Sequence, residues 1–322
     1  MRTDTRQPVR GYLYIATATF FWGVSATLGR AAFTGRLPGL HQVNAIDPLI
    51  LSQGRATFSF LVLLPILMLL RGRHSLRLPP RDLGQLFLIG ILGVAASNYF
   101  YYLAIQRTNV ATAIIVQYTA PIWVLLYTVA RRLQKPTLQQ VAAVGLAVTG
   151  IALVIGAFRS VFGGGGLRLD AVGLLAALLA AFSFAFYNIG GHHILARRDR
   201  WIVLLYTTCS ASLFWLLVNP PWKLIAAHYS PAQWLFLLLF SLLSVLAPFA
   251  FYFAGLQHLE PTRAIVVSCL EPVFSIVIAA IALGELMRPL QVVGIVFVLA
   301  AITVVQWPNR RSAPVTLVEP IE

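Results

Sequence analysis

The sequence predicts an all-α integral membrane protein: ten transmembrane helices arranged as two inverted five-helix repeats. Three observations predict this fold class. The first is composition. Of the 322 residues 59% are hydrophobic and 11% charged, with a mean hydropathy of +0.80, whereas a soluble chain carries about 25% charged residues. So little charge cannot cover a surface facing water, which leaves lipid as the solvent. The second is the recurrence of apolar runs of roughly 20 residues, the length needed to cross about 30 Å of hydrocarbon. The third is a run of four glycines, Gly163–Gly166, which divides those runs five and five.

The apolar runs are 11–33, 47–70, 82–103, 109–130, 138–157, 170–194, 201–219, 231–256, 262–283 and 289–307. The first follows Arg2, Arg6 and Arg10, as a signal peptide would. It is too long for a signal h-region, and Trp22 and Arg30 interrupt any cleavage signature, so it reads as the first helix. The connections are short. The two longest, 34–46 and 220–230, carry Pro, Gly and His and read as surface loops.

Orientation follows from the basic residues. With the N-terminus inside, fifteen of the 24 Lys and Arg fall in inward-facing segments and seven in outward-facing ones. Arg55 and Arg263 lie within spans. This bias places both termini in the cytoplasm; the cell's inner (plasma) membrane is the expected location. The net charge of +14 is scattered between apolar runs. Nucleic-acid binding needs a clustered basic surface, and none is present.

The glycine run is a flexible joint. It gives a first repeat over 11–157, a linker over 158–169, a second repeat over 170–307, and tails at 1–10 and 308–322. With an odd number of spans per half, the second half enters the bilayer from the opposite side. The halves are also alike in sequence. Laid residue on residue, 101–123 and 252–274 match Tyr101 with Tyr252, Gln106 with Gln257, Ala113-Ile114 with Ala264-Ile265, Val116 with Val267 and Pro121 with Pro272.

Several stretches resemble the EamA repeat of the drug/metabolite transporter superfamily. In the second half these are Tyr252 through Ala264, Leu270-Glu271-Pro272-Val273-Phe274, Leu283-Gly284-Glu285-Leu286, and Gln291 through Gly294. In the first half they are Phe21-Trp22-Gly23, Gly54-Arg55-Ala56, Tyr102 through Gln106, and Ala120-Pro121-Ile122-Trp123. The resemblance covers 11–307 and is nearly silent on substrate. One departure is visible. Where the family usually has Gly-Glu-Arg/Lys before the last helix of each repeat, the first half reads Leu133-Gln134-Lys135-Pro136, so any role of Glu285 is not mirrored.

An ionisable group in hydrocarbon costs at least about 2.5–3.5 kcal/mol on insertion scales and needs a partner or a wet cavity. Glu271 is the one acid near the middle of a span. It reads either as a coupling or substrate-linked carboxylate or as a packing carboxyl bonded to Arg55 or a backbone carbonyl. Arg55, some two turns into its span, either snorkels outward or serves as an anion site or ion-pair partner of Glu271. Pro121 and Pro272 are hinge candidates. Each lacks an N–H and frees the carbonyl four residues earlier, on Gln117 and Ser268. Irregular backbone at that depth is tolerated where it is buried or lines a cavity.

Aromatic and amide residues also share helix faces: Trp22, Ser25 and Gly29; Asn98, Tyr101 and Tyr102; Phe184, Tyr187 and Asn188. Such stripes suit a pocket for an amphipathic solute. An interfacial aromatic belt is the plainer reading; it fits Trp201, Trp222, Trp234 and Trp307 but not the deeper Asn98 and Asn188. The cavity candidates are therefore Trp22, Ser25, Asn98, Tyr101, Tyr102, Gln117, Tyr187, Asn188, Tyr252, Ser268 and Glu271. Gly23, Gly29, Gly90 and Gly93 allow close helix approach.

Cys209 and Cys269 sit in apolar runs without a CxxC pair, so neither a metal nor a redox site is expected, and no cofactor. No HExxH, GxSxG or paired carboxylates suggest catalysis. No GxxxxGK[ST] loop suggests ATP. The resemblance implies a secondary transporter of small metabolites, amino acids or related amphipathic compounds, exported by alternating access. Its partners would be a small-molecule substrate, the lipid bilayer and coupling protons. The alternative is a flippase for lipid-linked or amphipathic lipids.

Overall fold

The computed structural model describes residues 8–33, 46–107, 113, 116–132, 137–154, 170–283 and 288–306. Gly163–Gly166 and Glu285 lie outside them. Among the described residues all regular structure is helical. The first half contains α1 (Pro8–Phe33), α2 (Pro48–Arg71) and a short 3-10 turn. A continuous rod follows, made of α3 (Pro80–Leu88), a π-helical segment (Ile89–Ala95) and α4 (Ala96–Arg107). It ends with α5 (Ala120–Ala130) and α6 (Leu138–Val154). The second half contains α7 (Ala171–Leu195), α8 (Arg200–Val218) and α9 (Pro221–Ala226). A second rod joins α10 (Pro231–Ser241), a π-helical segment (Leu242–Leu246) and α11 (Ala247–Leu256). Then come α12 (Pro261–Ser268), α13 (Leu270–Leu283) and α14 (Pro289–Gln306). The segment expected as a 220–230 loop thus contains one short helix, started by Pro221.

Helix starts follow local chemistry. Asp47 caps α2, accepting from the Leu49 and Ile50 amides, with Pro48 behind it. Asp170 and Asp199 cap α7 and α8, and Ser230 with Gln233 forms a capping box on α10. Proline at the first helical position needs no amide partner and is already at helical φ. Of the ten acidic residues, three therefore serve as caps, which satisfy orphan amides.

Among the described residues five helices are long and apolar enough to cross a membrane: Leu49–Arg71, Pro80–Ala104, Ala171–Leu195, Arg200–Val218 and Pro231–Leu256. Shorter apolar helices are Ala120–Ala130, Leu138–Val154 and Pro289–Val305. Large apolar side chains face outward, as with Leu69 at 86% and Leu217 at 84% exposure. Inside, Thr207, Thr208 and Ser210 return their hydroxyls to carbonyls of their own helix. Apolar side chains outside, with hydroxyls such as these bonded to backbone inside, are the pattern of a protein dissolved in lipid, here a multi-pass one.

Packing is reciprocal between the halves. α1 lies against α11 and α13, while α7 lies against α4 and α5. α2 packs on α10 as α8 packs on α3, and α2 and α8 pack on each other. α6 and α14 make the most extensive helix pair, and they run antiparallel. Gln139 near the start of α6 donates to the Val304 carbonyl near the end of α14. Gln291 near the start of α14 donates to the Val154 carbonyl at the end of α6, at 3.2 Å. Gly150, Gly294, Ala143, Ala147 and Ala301 line the seam, and the alanines are fully buried. Small residues let two backbones approach in lipid, where dispersion contacts supply the attraction.

Of the glycines expected to permit close approach, Gly23, Gly90 and Gly93 do so, and the surroundings of Gly29 lie outside what is described. A Cβ on Gly23 would stand 2.8 Å from the Phe274 Cβ, one on Gly90 2.5 Å from the Thr207 carbonyl, and one on Gly93 3.0 Å from the Tyr187 Cβ.

Candidate functional site

Two helical stretches are interrupted at corresponding positions. The first is helical at Gln117, turns at Tyr118 and Thr119, and restarts as α5. The second ends α12 at Ser268, turns at Cys269, and restarts as α13. The alignment of Tyr101 with Tyr252 lays Tyr118 on Cys269. Pro121 and Pro272 were expected to bend continuous helices. Instead each lies in the first turn of a new helix, where a missing amide costs nothing. Backbone bonds turn the chain at both points, from the Thr119 amide to the Val116 carbonyl at 3.1 Å and from the Cys269 amide to the Val266 carbonyl at 3.2 Å.

Glu271 sits in the first turn of α13, where aligned peptide dipoles favour a carboxylate. It is half-buried. The Tyr118 hydroxyl and the Arg55 cation both lie within electrostatic reach of it. Arg55 neither snorkels to the surface nor ion-pairs directly with Glu271. Its Nη2 donates to the Ser244 carbonyl at 3.0 Å, and its guanidinium lies 5.8 Å from the Phe240 ring centroid. The cause is in the sequence. Four residues after Ser244 stands Pro248, which has no amide to offer that carbonyl. The π-helical turn Leu242–Leu246 widens the backbone there as well. Arg55 takes the acceptor that the helix leaves open.

A second cluster adjoins the first through Cys269, which lies within electrostatic reach of both Tyr118 and Tyr252. Tyr252 donates a short hydrogen bond to the Asn188 Oδ1, and both residues are fully buried. Asn188 in turn donates to the Phe184 carbonyl at 2.9 Å. Ser268 lies close to Tyr252 and donates to the Ile265 carbonyl at 2.7 Å. Trp22 packs 5.2 Å from Tyr252 and 5.4 Å from Phe249, between ring centroids, and Tyr187 stacks on Tyr252 at 5.9 Å. The Tyr187 hydroxyl is buried without a hydrogen-bond partner.

The structure thus brings Trp22, Tyr187, Asn188, Tyr252 and Ser268 into one cluster and Arg55 and Glu271 into its neighbour. Gln117 is tied to Ser97 at 3.4 Å, and Ser97 to the Ala180 carbonyl at 3.4 Å. Ser25 and Asn98 do not join. Ser25 bonds the Phe21 carbonyl of its own helix at 2.7 Å, and Asn98 the Val94 carbonyl at 3.0 Å. Tyr101 and Tyr102 lie 5.6 Å apart, ring to ring, with Tyr101 within electrostatic reach of Tyr118. Sequence reasoning missed Tyr118, Ser244 and Phe249. A proline four residues after a serine was the signal for Ser244; Tyr118 carried none beyond its place next to Gln117.

At one end of the bundle the halves are held by charge. Arg71 pairs with Asp199 at 2.6 Å. Arg198 forms a short ion pair with Asp82, whose side chain is only 7% exposed. Arg197 reaches the Gln85 Oε1 at 2.7 Å, and the Tyr206 hydroxyl donates to the Leu76 carbonyl at 2.7 Å. Neutral contacts hold the other end: Asn219 donates to Gln53 at 2.7 Å, and the Asp47 amide donates to the Tyr229 hydroxyl at 2.9 Å. No group of three potential metal ligands occurs among the described residues.

A continuous fold of this kind, with the family signature read twice, is decisive. Residues 9–156 and 171–307 each match the EamA-like transporter family. The chain belongs to that family. EamA-like relatives include the uncharacterized inner membrane transporter YicL of Salmonella typhimurium, 22% identical over 94% of this chain and 97% of its own. An uncharacterized transporter of Clostridium kluyveri is 22% identical over 94% and 95%. The uncharacterized transporter YdeK of Bacillus subtilis is 25% identical over 81% and 88%. A solved crystal structure superposes with a TM-score of 0.73 over 92% of this chain and 96% of that one, at 20% identity, which speaks for the fold. Membership makes this a membrane transporter. The two EamA-like segments meet at the interrupted stretches, where rings, amides, a carboxylate and a guanidinium stand within the apolar bundle.

Proposed function

We propose that this chain is a secondary transporter that exports small metabolites, amino acids or related amphipathic compounds, by alternating access. Ten spans would form two inverted five-helix repeats, 11–157 and 170–307, joined by 158–169. Both termini would face the cytoplasm of the inner membrane. The matched interruptions at Tyr118–Thr119 and Cys269 carry the reading, because they set polar side chains beside irregular backbone inside an apolar bundle. The antiparallel packing of α6 on α14 supports inversion: equivalent helices of a non-inverted repeat would run parallel. The substrate pocket would draw on Trp22, Tyr101 and Gln117 of the first repeat and on Tyr187, Asn188, Tyr252, Ser268 and Glu271 of the second. Glu271 would exchange a proton as the halves rock.

The test is solute counterflow in proteoliposomes, with labelled amino acids and a fluorescent lipid compared in the same vesicles. Exchange of the solute with none of the lipid is expected. Movement of the lipid alone would replace the carrier by a flippase. Glu271→Gln should leave exchange intact and flatten its pH dependence. PH-dependent uptake that persists in the variant removes the proton role.

A further inference from the structure

Two buried donors on residues that already touch each other have nothing to bond. The Arg55 Nε and the Ser244 Oγ are both buried without a hydrogen-bond partner. Their arrangement is fixed, because Arg55 Nη2 is tied to the Ser244 carbonyl at 3.0 Å and Phe240 covers the guanidinium face at 5.8 Å. Glu271 does not fill the gap: the Arg55 Nη2 goes to a backbone carbonyl and its Nε has no partner. Arg263, the other arginine within a span, is paired with Glu260 at 3.9 Å. Arg55 therefore differs in having a cationic N–H held in place and left open. Buried donors in native structures are almost always satisfied, and an exception calls for a missing acceptor.

We propose that Arg55 and Ser244 form a carboxylate subsite, so that the transported solute is a monocarboxylate with an apolar or aromatic body. This deepens the transport reading above and rests on it. One guanidinium edge and one hydroxyl offer two donors, which match the two oxygens of a carboxylate. A dianionic phosphate would bring a second negative charge towards Glu271. A neutral amide would leave the buried guanidinium uncompensated. The body of the solute has a place as well. Phe249 and Tyr252 follow Ser244 along the same rod by five and eight residues, roughly 7.5 and 12 Å of helix. Trp22 packs on both rings. That span fits an aryl-alkanoic acid with its acid end on Arg55.

The experiment uses the purified full chain in lipid nanodiscs at pH 7.5 and constant ionic strength. Thermal unfolding is followed with phenylacetate, 3-phenylpropionate and indole-3-acetate, each against its own neutral amide, and with inorganic phosphate. At least one acid should raise the melting temperature where its amide and phosphate do not. Arg55→Gln and Ser244→Ala should each weaken that acid at least tenfold. Ser244→Ala deletes a hydroxyl that holds nothing in this structure, so it tests the idea even where Arg55→Gln does not fold. Three results overturn the subsite: no acid stabilises more than its amide, phosphate does as well as the acids, or the difference survives Ser244→Ala. Counterflow separates this from the transport reading. Acids that bind through Arg55 but never exchange across the bilayer leave the subsite standing and remove transport. Exchange of other metabolites, indifferent to acids and to both substitutions, removes the subsite alone.

Discussion

Gly150 and Gly294 face each other so closely that a Cβ on Gly150 would stand 2.8 Å from the Gly294 carbonyl oxygen, and one on Gly294 2.6 Å from that of Gly150. Neither helix can yield without sliding along the other. Gly294→Val should cost about 1–3 kcal/mol, the usual penalty for forcing bulk into a packed interface. Gly145, whose Cβ would meet nothing within 4 Å, is the control: Gly145→Val should be nearly silent. Melting temperatures of the two variants in one detergent decide the matter.

The Tyr252–Asn188 bond joins the two EamA-like helices that carry most of the ring cluster. Interhelical hydrogen bonds in membranes average about 0.6 kcal/mol in double-mutant cycles, so its loss should be mild for stability. Tyr252→Phe is expected to unfold within a few degrees of the parent yet to weaken solute binding, since Asn188 is then free to turn. Asn188→Leu, which also breaks the tie to the Phe184 carbonyl, should be worse on both counts. A binding curve unchanged in Tyr252→Phe would mean the pair only packs.

Pro121 and Pro272 start helices rather than bend them, so removing them should do less to the fold than an interior proline would suggest. Pro272→Ala is expected to leave the melting temperature unchanged or slightly raised, while slowing counterflow roughly tenfold by letting α12 and α13 join into one stiffer rod, a change of about 1.4 kcal/mol in barrier. Full-rate exchange in Pro272→Ala would show that Cys269 interrupts the helix unaided.

The charged end of the bundle can be loosened selectively. Asp82 is enclosed and faces two arginines, so Asp82→Asn strands both, whereas Arg71→Gln removes one half-exposed pair worth well under 1 kcal/mol. Asp82→Asn should therefore raise the labelling rate of a cysteine placed at Leu76 severalfold, and Arg71→Gln should barely change it. Equal rates in the two variants would make the pairs ornamental.

Much of this architecture could be read from residue order, and the parts that could not share a physical reason. Composition and the spacing of apolar runs reveal what faces lipid, because that depends on each residue alone. The matched Tyr101–Tyr252 and Pro121–Pro272 pairs likewise reveal the repeat without coordinates. Asn188 and Tyr252 were legible as deep polar groups needing partners, though not as partners of each other. Asn98 shows the limit: it shares the same spacing but satisfies itself on Val94, and no pattern along one helix distinguishes a side chain that turns inward from one that bonds its own backbone. The hydrogen-bond acceptor of Arg55 escaped the sequence for a related reason. Its acceptor is a carbonyl opened by Pro248 on a helix nearly two hundred residues later in the chain.

The widened turns at Ile89–Ala95 and Leu242–Leu246 overlap when one half of the chain is laid on the other. A π turn holds one residue more than the helix around it requires, a spare link stored in each rod. Drawing that link straight would rotate everything beyond it by about 100° about the rod's axis, swinging Phe249 and Tyr252 off Trp22 and Asn188. Two such stored links, one in each half, would let the molecule exchange which rings face the middle by twisting in place, a rearrangement that leaves the glycine seam untouched.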